Sequence, residues 1–237
     1  MTQILSLRKV TKTYGKEQIV RALDSVDLSF VKGELTVIIG QSGSGKSTLL
    51  NMISGIDRPT EGEILFGNEK LHQYSEAELT RWRGKNIGIV FQFFQLIPTL
   101  TVLENVMLPM DFSRKHAAKD RKTLAFLLLE STGIVEHADR LPSQLSGGQQ
   151  QRAAIARALA NQAPILIADE PTGNLDSFTA ESIVCLFREL SANGTTVIVV
   201  THNKELAKSA DRVITIHDGR IISDSSDGSD TSDGRVN

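Results

Sequence analysis

Residues 40–47 restrict the possible folds of this chain more than any other segment. They read GQSGSGKS, match the pattern G-x-x-x-x-G-K-[ST], follow the apolar run 35–39 and precede a predicted helix at 48–53. Glycines in such a loop allow backbone N–H groups to face a phosphate, and the helix N-terminus adds the positive end of its dipole. A glycine-rich turn without function is the alternative. The strand before the loop and the helix after it favour a phosphate-binding loop.

This loop and the start of its helix are predicted to bind ATP. Lys46 is expected to reach the β- and γ-phosphates, and the hydroxyl of Ser47 is expected to bind Mg²⁺. The predicted cofactors are therefore ATP and Mg²⁺. The candidate ATP ligands are Gly40, Gln41, Ser42, Gly43, Ser44, Gly45, Lys46, Ser47 and Thr48.

Three continuous apolar runs predict a parallel sheet that is covered on both faces, because such strands lack the alternation of half-exposed ones. The runs are residues 35–39, 165–168 and 196–200. They end at Gly40, Asp169 and Thr201-His202, and ligands in open α/β sheets bind at the carboxyl ends of the strands. We therefore expect the three ends to converge on one site.

Two adjacent acids, Asp169 and Glu170, follow the second of these runs. Beside a bound phosphate, Asp169 is expected to hold Mg²⁺ through water, and Glu170 to orient or deprotonate the attacking water. Acids at strand ends also cap helices, so the pair alone leaves both interpretations open.

The rest of the chain divides by its hydrophobic pattern. Residues 4–30 alternate, which predicts antiparallel strands, whereas residues 93–160 read as helices inserted into the α/β core. Predicted strands at 213–216 and 220–222 flank the hairpin signal Asp218-Gly219. The predicted domains are a core of residues 1–92 and 161–222, a helical subdomain of 93–160, and a disordered acidic tail of 223–237, rich in Ser, Asp and Gly.

The order of the motifs resembles the ATP-binding cassette (ABC) ATPases. The segment LSGGQ at 145–149 lies between the phosphate-binding loop and the acidic pair, which continues as PTGNLD at 171–176. The resemblance extends from residue 4 to about residue 222. It implies an α/β fold: a P-loop NTPase (RecA-like) core with an N-terminal antiparallel β subdomain and an inserted helical subdomain.

The same resemblance assigns roles to three further side chains. Gln92 matches an amide that binds Mg²⁺ and reports to the helical subdomain, and His202 matches a histidine that contacts the γ-phosphate. Tyr14 matches an aromatic residue that stacks on adenine. The simpler interpretations are a surface glutamine, an incidental loop histidine and a turn tyrosine. The predicted catalytic residues are Glu170, His202, Lys46 and Gln92, and the predicted metal ligands are Ser47, Gln92 and Asp169.

In the family the LSGGQ segment caps the ATP of a second subunit, so the resemblance implies a homodimer that closes on two nucleotides. Here the segment consists of Leu145, Ser146, Gly147, Gly148 and Gln149, followed by a predicted helix at 150–160. The serine hydroxyl, the glycine amides and the helix dipole suit an anion. Asp176 matches the acid of the family's D-loop.

Finer sequence features resemble the branch that serves macrolide exporters, lipoprotein-release complexes, haem and antimicrobial-peptide exporters, and the cell-division ATPase. They include LSGGQQQR at 145–152 and ADEPTGNLDS at 168–177. No apolar stretch approaches a membrane span, so the branch implies a permease on a separate chain and a peripheral position at the cytoplasmic side of the membrane.

Two other functions stay open. One is a cell-division ATPase that regulates cell-wall hydrolases without transport. The other is a cassette acting on DNA or ribosomes, but a formal net charge of −2 gives no support for a nucleic-acid partner. The transported substrate is not predicted. The one cysteine, Cys185, lies in an apolar helical stretch and is expected to be a small core residue.

Overall fold

The alternating and the continuous apolar segments form two separate sheets. A computed structural model describes residues 2–15 and 17–226. Within these residues the strands are β1 (Gln3–Tyr14), β2 (Val20–Val31), β3 (Leu35–Ile39), β4 (Glu61–Phe66), β5 (Glu69–Lys70), β6 (Ile87–Val90), β7 (Ile165–Asp169), β8 (Thr196–Thr201), β9 (Arg212–His217) and β10 (Arg220–Ser226).

The larger sheet has the strand order β10-β9-β3-β8-β7-β6. Strands β9, β3, β8, β7 and β6 are parallel, and β10 pairs antiparallel with β9. Every residue of β8 is buried, as its uninterrupted apolar sequence predicts. The carboxyl ends of β3, β7 and β8 lie at neighbouring positions of one sheet edge, where the expected site belongs.

The smaller sheet is antiparallel, with the order β2-β1-β4-β5. The alternating positions of β1 and β2 explain how it packs. Leu5, Leu7 and Phe30 face inward and are almost fully buried, in the same apolar cluster as Ile198 and Ile214 of the larger sheet. The two sheets therefore share one hydrophobic core, and the small sheet covers one face of the large one.

Helices cover the remaining surfaces. They are α1 (Lys46–Ile53), α2 (Glu76–Asn86), α3 (Val102–Ser113), α4 (Ala118–Ser131), α5 (Gly147–Leu159), α6 (Ser177–Ala192) and α7 (Lys204–Ala207). Among the described residues, no helix combines the length and apolar character needed to cross a membrane.

Helices α3, α4 and α5 lie within the predicted helical insert and share their own apolar cluster, which includes Val106, Met110 and Leu129. Helix α5 also contributes Ile155 and Leu159 to a second cluster beneath the large sheet. This helix thus packs into the insert on one face and into the core on the other.

The predicted start of the tail at residue 223 is wrong. Strand β10 continues to Ser226, because a polar segment can be ordered by the hydrogen bonds of a β ladder without burying apolar surface. The guanidinium of Arg212 donates to both carboxylate oxygens of Asp224 at 2.6 Å and to the carbonyl of Ser29 at 2.6 Å. Residues 227–237 of the predicted tail lie outside the described residues.

The assignment of Cys185 to the core is also wrong, because the residue is exposed. It lies on α6, whose buried face carries Ile183, Leu186 and Phe187. Position 185 lies between these residues in the sequence, but the helical turn places it on the side of α6 that faces solvent.

Replacement of Ile198 by alanine should lower the free energy of unfolding by about 2–5 kcal/mol, because the side chain is fully buried in β8 and its loss leaves a cavity. Urea unfolding followed by circular dichroism measures this change. The control is Ile222→Ala in β10, where the side chain is 63% exposed and a change within about 0.5 kcal/mol is expected. Equal effects of both substitutions would contradict the central position of β8.

Candidate active site

A cavity of about 950 Å³ opens at the carboxyl edge of the large sheet. Its wall holds half of the site residues predicted from sequence, and these come from four separate segments of the chain. The predicted residues in its wall are Ser42, Gly43, Gly45, Lys46, Ser47, Thr48, Gln92, Asp169, Glu170 and His202.

The glycine-rich loop curls around the ammonium group of Lys46. Lys46 begins α1 and is 9% exposed, and its Nζ donates to the carbonyls of Gly40 and Gln41, both at 2.8 Å. Gly45 has a φ of 104°, and a Cβ there would lie 2.5 Å from the carbonyl oxygen of Ala22. A side chain at this position would therefore push the loop away from β2. The loop conformation brings the start of α1 to the cavity, where a phosphate would meet a helix N-terminus.

The turn between β9 and β10 supports the loop from outside. The N–H of Gly219 donates to the carbonyl of Ser44 at 2.9 Å, and the N–H of Asp24 donates to the carbonyl of Gly219 at 2.9 Å. Asp218 and Gly219 both have positive φ. Both line the cavity, and Arg21 and Ala22 line it too. The sequence predicts this turn but not its contact with the loop, because the Asp-Gly signal is local and the contact joins distant segments.

Asp169 is a half-buried acid of the cavity. Burial raises the pKa of its carboxyl group, the neighbouring charge of Glu170 raises it further, and the ammonium of Lys46 lowers it. An ionised carboxylate at this position therefore needs a cation close to it. The hydroxyl of Ser47 and the amide of Gln92 line the same cavity. Hydroxyl, amide and carboxylate oxygens are suitable Mg²⁺ donors, so the residues present fit that ion.

Glu170 is held in a fixed orientation by three donors. The hydroxyl of Thr201 donates to its carboxylate at 2.9 Å, the backbone N–H of His202 at 3.0 Å, and Nδ1 of the His202 ring lies 2.8 Å from the same group. Its own φ is +46°, and such a left-handed conformation costs on the order of 1–3 kcal/mol in a residue other than glycine. The surroundings of Glu170 therefore maintain a strained conformation that aims its carboxylate at the cavity. The sequence offers no signal for the role of Thr201 beyond its position before His202.

Tyr14 does not belong to the described wall of the cavity. Its hydroxyl donates to Asp57 at 2.9 Å, and the ammonium of Lys12 lies 4.9 Å from its ring centroid. Burial and the Asp57 carboxylate raise the pKa of the Tyr14 hydroxyl, which thus stays protonated as a donor. Tyr14 is 40% exposed. Its contact with adenine stays a prediction.

The segment LSGGQ also lies outside the described wall of the cavity. Ser146 caps α5, which begins at Gly147, three residues before the predicted start. The capping hydrogen bonds explain this early start, because they satisfy the first N–H groups of the helix. A Cβ on Gly148 would lie 2.3 Å from the Cγ2 of Thr179, so this glycine permits close contact with α6. Asp176 caps α6 by accepting from the N–H and hydroxyl of Thr179. The LSGGQ segment and the D-loop acid therefore lie at adjoining helix ends, apart from the cavity of their own chain.

A second cavity of about 690 Å³ lies between α2, β6, α3 and α5. We call it the docking groove. Its wall combines apolar side chains, among them Ile87, Phe91 and Phe112, with four cations, and no Asp or Glu is found among the described residues that line it. The cations are Arg81, Arg83, Lys85 and Arg157.

Arg157 joins this groove to the segment after Gln92. Its guanidinium donates to the carbonyls of Phe94, at 2.7 Å, and of Gln95. Burial lowers its pKa, since no carboxylate accompanies it. Phe94 and Gln95 both have positive φ, so two strained residues are anchored on a side chain of α5. The docking groove and the nucleotide cavity therefore communicate through a short segment that begins at Gln92.

The fold and the phosphate-binding loop define a P-loop NTPase, and comparisons with known proteins identify the family. Residues 23–173 match the family model described as ABC transporter. The chain belongs to this family and resembles its macrolide-exporter and lipoprotein-release branch. It is an ATPase.

The chain is 48% identical over 223 residues to an uncharacterized ABC transporter ATP-binding protein, MJ0796, of Methanocaldococcus jannaschii, with 92% of this chain and 95% of that protein covered. It is 43% identical over 223 residues to the macrolide export ATP-binding/permease protein MacB of Hyphomonas neptunium, covering 94% of this chain but 34% of that protein. A dimeric structure of the MJ0796 cassette in a post-hydrolysis state, bound to ADP and Pi, has a TM-score of 0.87 at 46% identity, covering 94% of this chain and 98% of that one.

Replacement of Asp169 by asparagine should raise the melting temperature of the ligand-free protein at neutral pH. The folded-state pKa of Asp169 lies above its unfolded value, so its contribution to stability is fully present below the unfolded pKa and is lost as the pH rises through the folded pKa. Asparagine carries no charge and avoids this loss. The difference between variant and parent should shrink as the pH falls into the acid range, as measured by scanning calorimetry.

Asp176→Asn provides a control of opposite sign. The hydroxyl and N–H of Thr179 lower the pKa of Asp176, so its stability contribution is present above the unfolded pKa and disappears as the pH falls through the folded one. This variant should melt below the parent at neutral pH. If Asp169→Asn also melted below the parent, the unfavourable burial of the Asp169 carboxylate would be refuted.

Proposed function

We propose that two copies of this ATPase bind two Mg-ATP, close around them and drive a permease carried on a separate chain. The observation that carries the proposal is the separation of the two anion-binding features. The phosphate-binding loop faces one cavity, whereas Ser146 and the N-terminus of α5 lie outside that cavity. A second copy supplies the phosphate that the N-terminus of α5 would otherwise lack, which agrees with the dimeric relatives.

Hydrolysis follows from the residues around the cavity. The ammonium of Lys46 and the loop N–H groups neutralise the β- and γ-phosphates. The backbone carbonyls of Gly40 and Gln41 accept hydrogen bonds from this ammonium and position it. Ser47, Asp169 and Gln92 would hold Mg²⁺, which would supply positive charge beside the phosphate oxygens. Glu170 accepts a proton from the attacking water, a role suited to an acid with fixed orientation.

His202 and Thr201 serve this step by position. Thr201 donates from the end of β8 and keeps Glu170 Oε2 from rotating. The ring of His202 is 70% exposed and contacts Glu170 through Nδ1. Nε2 is therefore the nitrogen that would face a γ-phosphate, as a donor when the ring carries both protons. Tyr14 lies close to Thr48, which lines the cavity, and its proposed role is to contact adenine.

The docking groove provides the surface for the permease. Phe112 is 79% exposed within it, and an exposed aromatic ring beside cations suits an amphipathic helix with acidic residues. The groove meets the Gln92 segment through Arg157, so closure at the nucleotide is transmitted to the permease. Two curated relatives that join both parts in one chain are named for the export of macrolides and pyoverdine, and this chain covers 34% of each. These names favour export. Attachment to a separate permease would give the chain a peripheral position on the cytoplasmic side of the membrane.

Glu170→Gln should lower ATP turnover by roughly 10²- to 10⁴-fold, as expected for a lost general base. Because nucleotide binding survives, the variant should form a stable dimer with Mg-ATP. Phosphate release measures the first effect, and size-exclusion chromatography with light scattering measures the second. The matched control is Glu130→Gln on the exposed side of α4, with parental turnover.

Near-parental turnover of Glu170→Gln would refute the role of Glu170. A variant that binds Mg-ATP but stays monomeric would refute the nucleotide-closed dimer. The two results concern different parts of the proposal and are obtained from one protein preparation.

Phe112→Asp should abolish co-purification of the permease when tagged Glu170→Gln protein is recovered from native membranes with Mg-ATP. The substitution places a negative charge on an apolar contact, and mass spectrometry identifies what remains bound. Leu127→Asp is the control, because Leu127 is 56% exposed on α4, outside the groove. Introduced separately into the protein with Glu170 intact, both substitutions should leave ATPase activity in the absence of membranes unchanged.

A four-helix permease recovered with the parent and lost with Phe112→Asp would support the proposal. Recovery of cell-wall hydrolase regulators would instead favour the cell-division function. Recovery of no membrane protein would contradict the permease partner.

A further inference from the structure

The side chain of Gln149 is hydrogen-bonded at both ends. Its Oε1 accepts the backbone N–H of Ser146 at 2.8 Å, and its Nε2 lies 2.9 Å from Nε2 of His137. The hydroxyl of Ser146 in turn accepts the backbone N–H of Gln149 at 3.3 Å. Gln149 therefore closes the capping box of α5 and at the same time contacts a half-buried histidine outside that helix.

The donor and acceptor roles in these contacts follow from the N–H of Ser146. A backbone N–H can only donate, so Gln149 presents its oxygen to Ser146 and its amide N–H to His137. Nε2 of His137 must then accept, and its ring proton lies on Nδ1. Rotating the amide by half a turn would set two donors against each other at Ser146. An accepting nitrogen on His137 is therefore matched to the one orientation of Gln149 that caps the helix, and adds a second hydrogen bond that favours it.

The backbone that carries His137 is itself anchored. His137 ends a short 3-10 helix, and the two carbonyls of Ala138 and Arg140 that follow it accept the N–H groups of Leu103 and Val102, both at 2.9 Å. These N–H groups belong to the first turn of α3, the helix that forms one side of the docking groove. His137 thus joins the N-terminus of α5 to that of α3.

We propose that His137 is a positioning residue for the ATP site completed by the second subunit. By accepting from Gln149, it keeps the hydroxyl of Ser146 and the first N–H groups of α5 in the geometry that receives the γ-phosphate of the opposite ATP. This inference rests on the proposed function, because Ser146 meets ATP only in the closed dimer. His137 contacts no part of the described cavity wall, so it leaves nucleotide binding by its own subunit unchanged.

The test compares His137→Leu, which removes the acceptor, with His137→Gln, whose Oε1 restores an acceptor at a similar reach. Both are made in the Glu170→Gln protein. With Mg-ATP, sedimentation equilibrium should give a dimer dissociation constant at least about five-fold higher for His137→Leu, because one hydrogen bond is lost at each of the two ATP sites. His137→Gln should stay within about two-fold of the Glu170→Gln parent. Glu136→Gln, the exposed neighbour, is the control for the segment.

Affinity for ADP separates positioning from loss of structure. It should be unchanged in all three variants, because ADP bound to a monomer does not involve Ser146. An equal dimer dissociation constant for His137→Leu and parent would overturn the proposal. So would failure of His137→Gln to restore dimerisation, because it would show that the acceptor is not the group that matters.

A second measurement keeps the inference testable if the dimer itself fails to form. In the ADP-bound monomer, hydrogen exchange of the Ser146 amide should be about five-fold faster in His137→Leu and parental in His137→Gln, because Gln149 no longer holds this N–H. Absence of a dimer in the Glu170→Gln parent would refute the proposed function, whereas parental exchange in His137→Leu would refute the positioning role alone.

Discussion

Asp169 and Lys46 place opposite charges in the wall of one cavity, and much of the structure serves to hold them there. Burial makes each charge costly, and among the described residues the Lys46 ammonium has two acceptors for its three N–H groups. The carboxylate comes from the end of β7 and the ammonium from the first residue of α1, so the parallel sheet must set their separation. In the proposed function, phosphate and Mg²⁺ would complete both charges, and this would link ligand binding energetically to closure.

Helix α5 connects this cavity to the rest of the molecule. Its N-terminus presents the LSGGQ segment, its middle packs into two apolar clusters, and Arg157 near its end holds the strained residues after Gln92. A helix that packs against all three regions would move the LSGGQ segment, the apolar clusters and the residues after Gln92 together. Packed cores shift between discrete arrangements and do not deform smoothly. The proposed dimer and the proposed permease contact therefore depend on the same element.

Local sequence patterns predicted the strands well where the pattern itself follows from how the strand is buried. Continuous apolar runs predicted β3, β7 and β8, and alternation predicted β1 and β2, because burial on two faces or on one dictates these patterns. The errors arose where a cause was not local. The polar residues 223–226 are ordered by pairing with β9, and the apolar neighbours of Cys185 did not reveal which side of α6 faces solvent.

The sequence by itself determined the chemistry of the site: the phosphate-binding loop, the acidic pair and the LSGGQ segment are each contained in a few consecutive residues. Only the tertiary structure decided how Thr201 orients Glu170, how the turn at Asp218 supports the loop, and how His137 reaches Gln149. The physical reason is that each of these contacts joins two segments that are not neighbours in the sequence. Local conformation cannot bring such segments together, and only the packing of the sheet and helices does so.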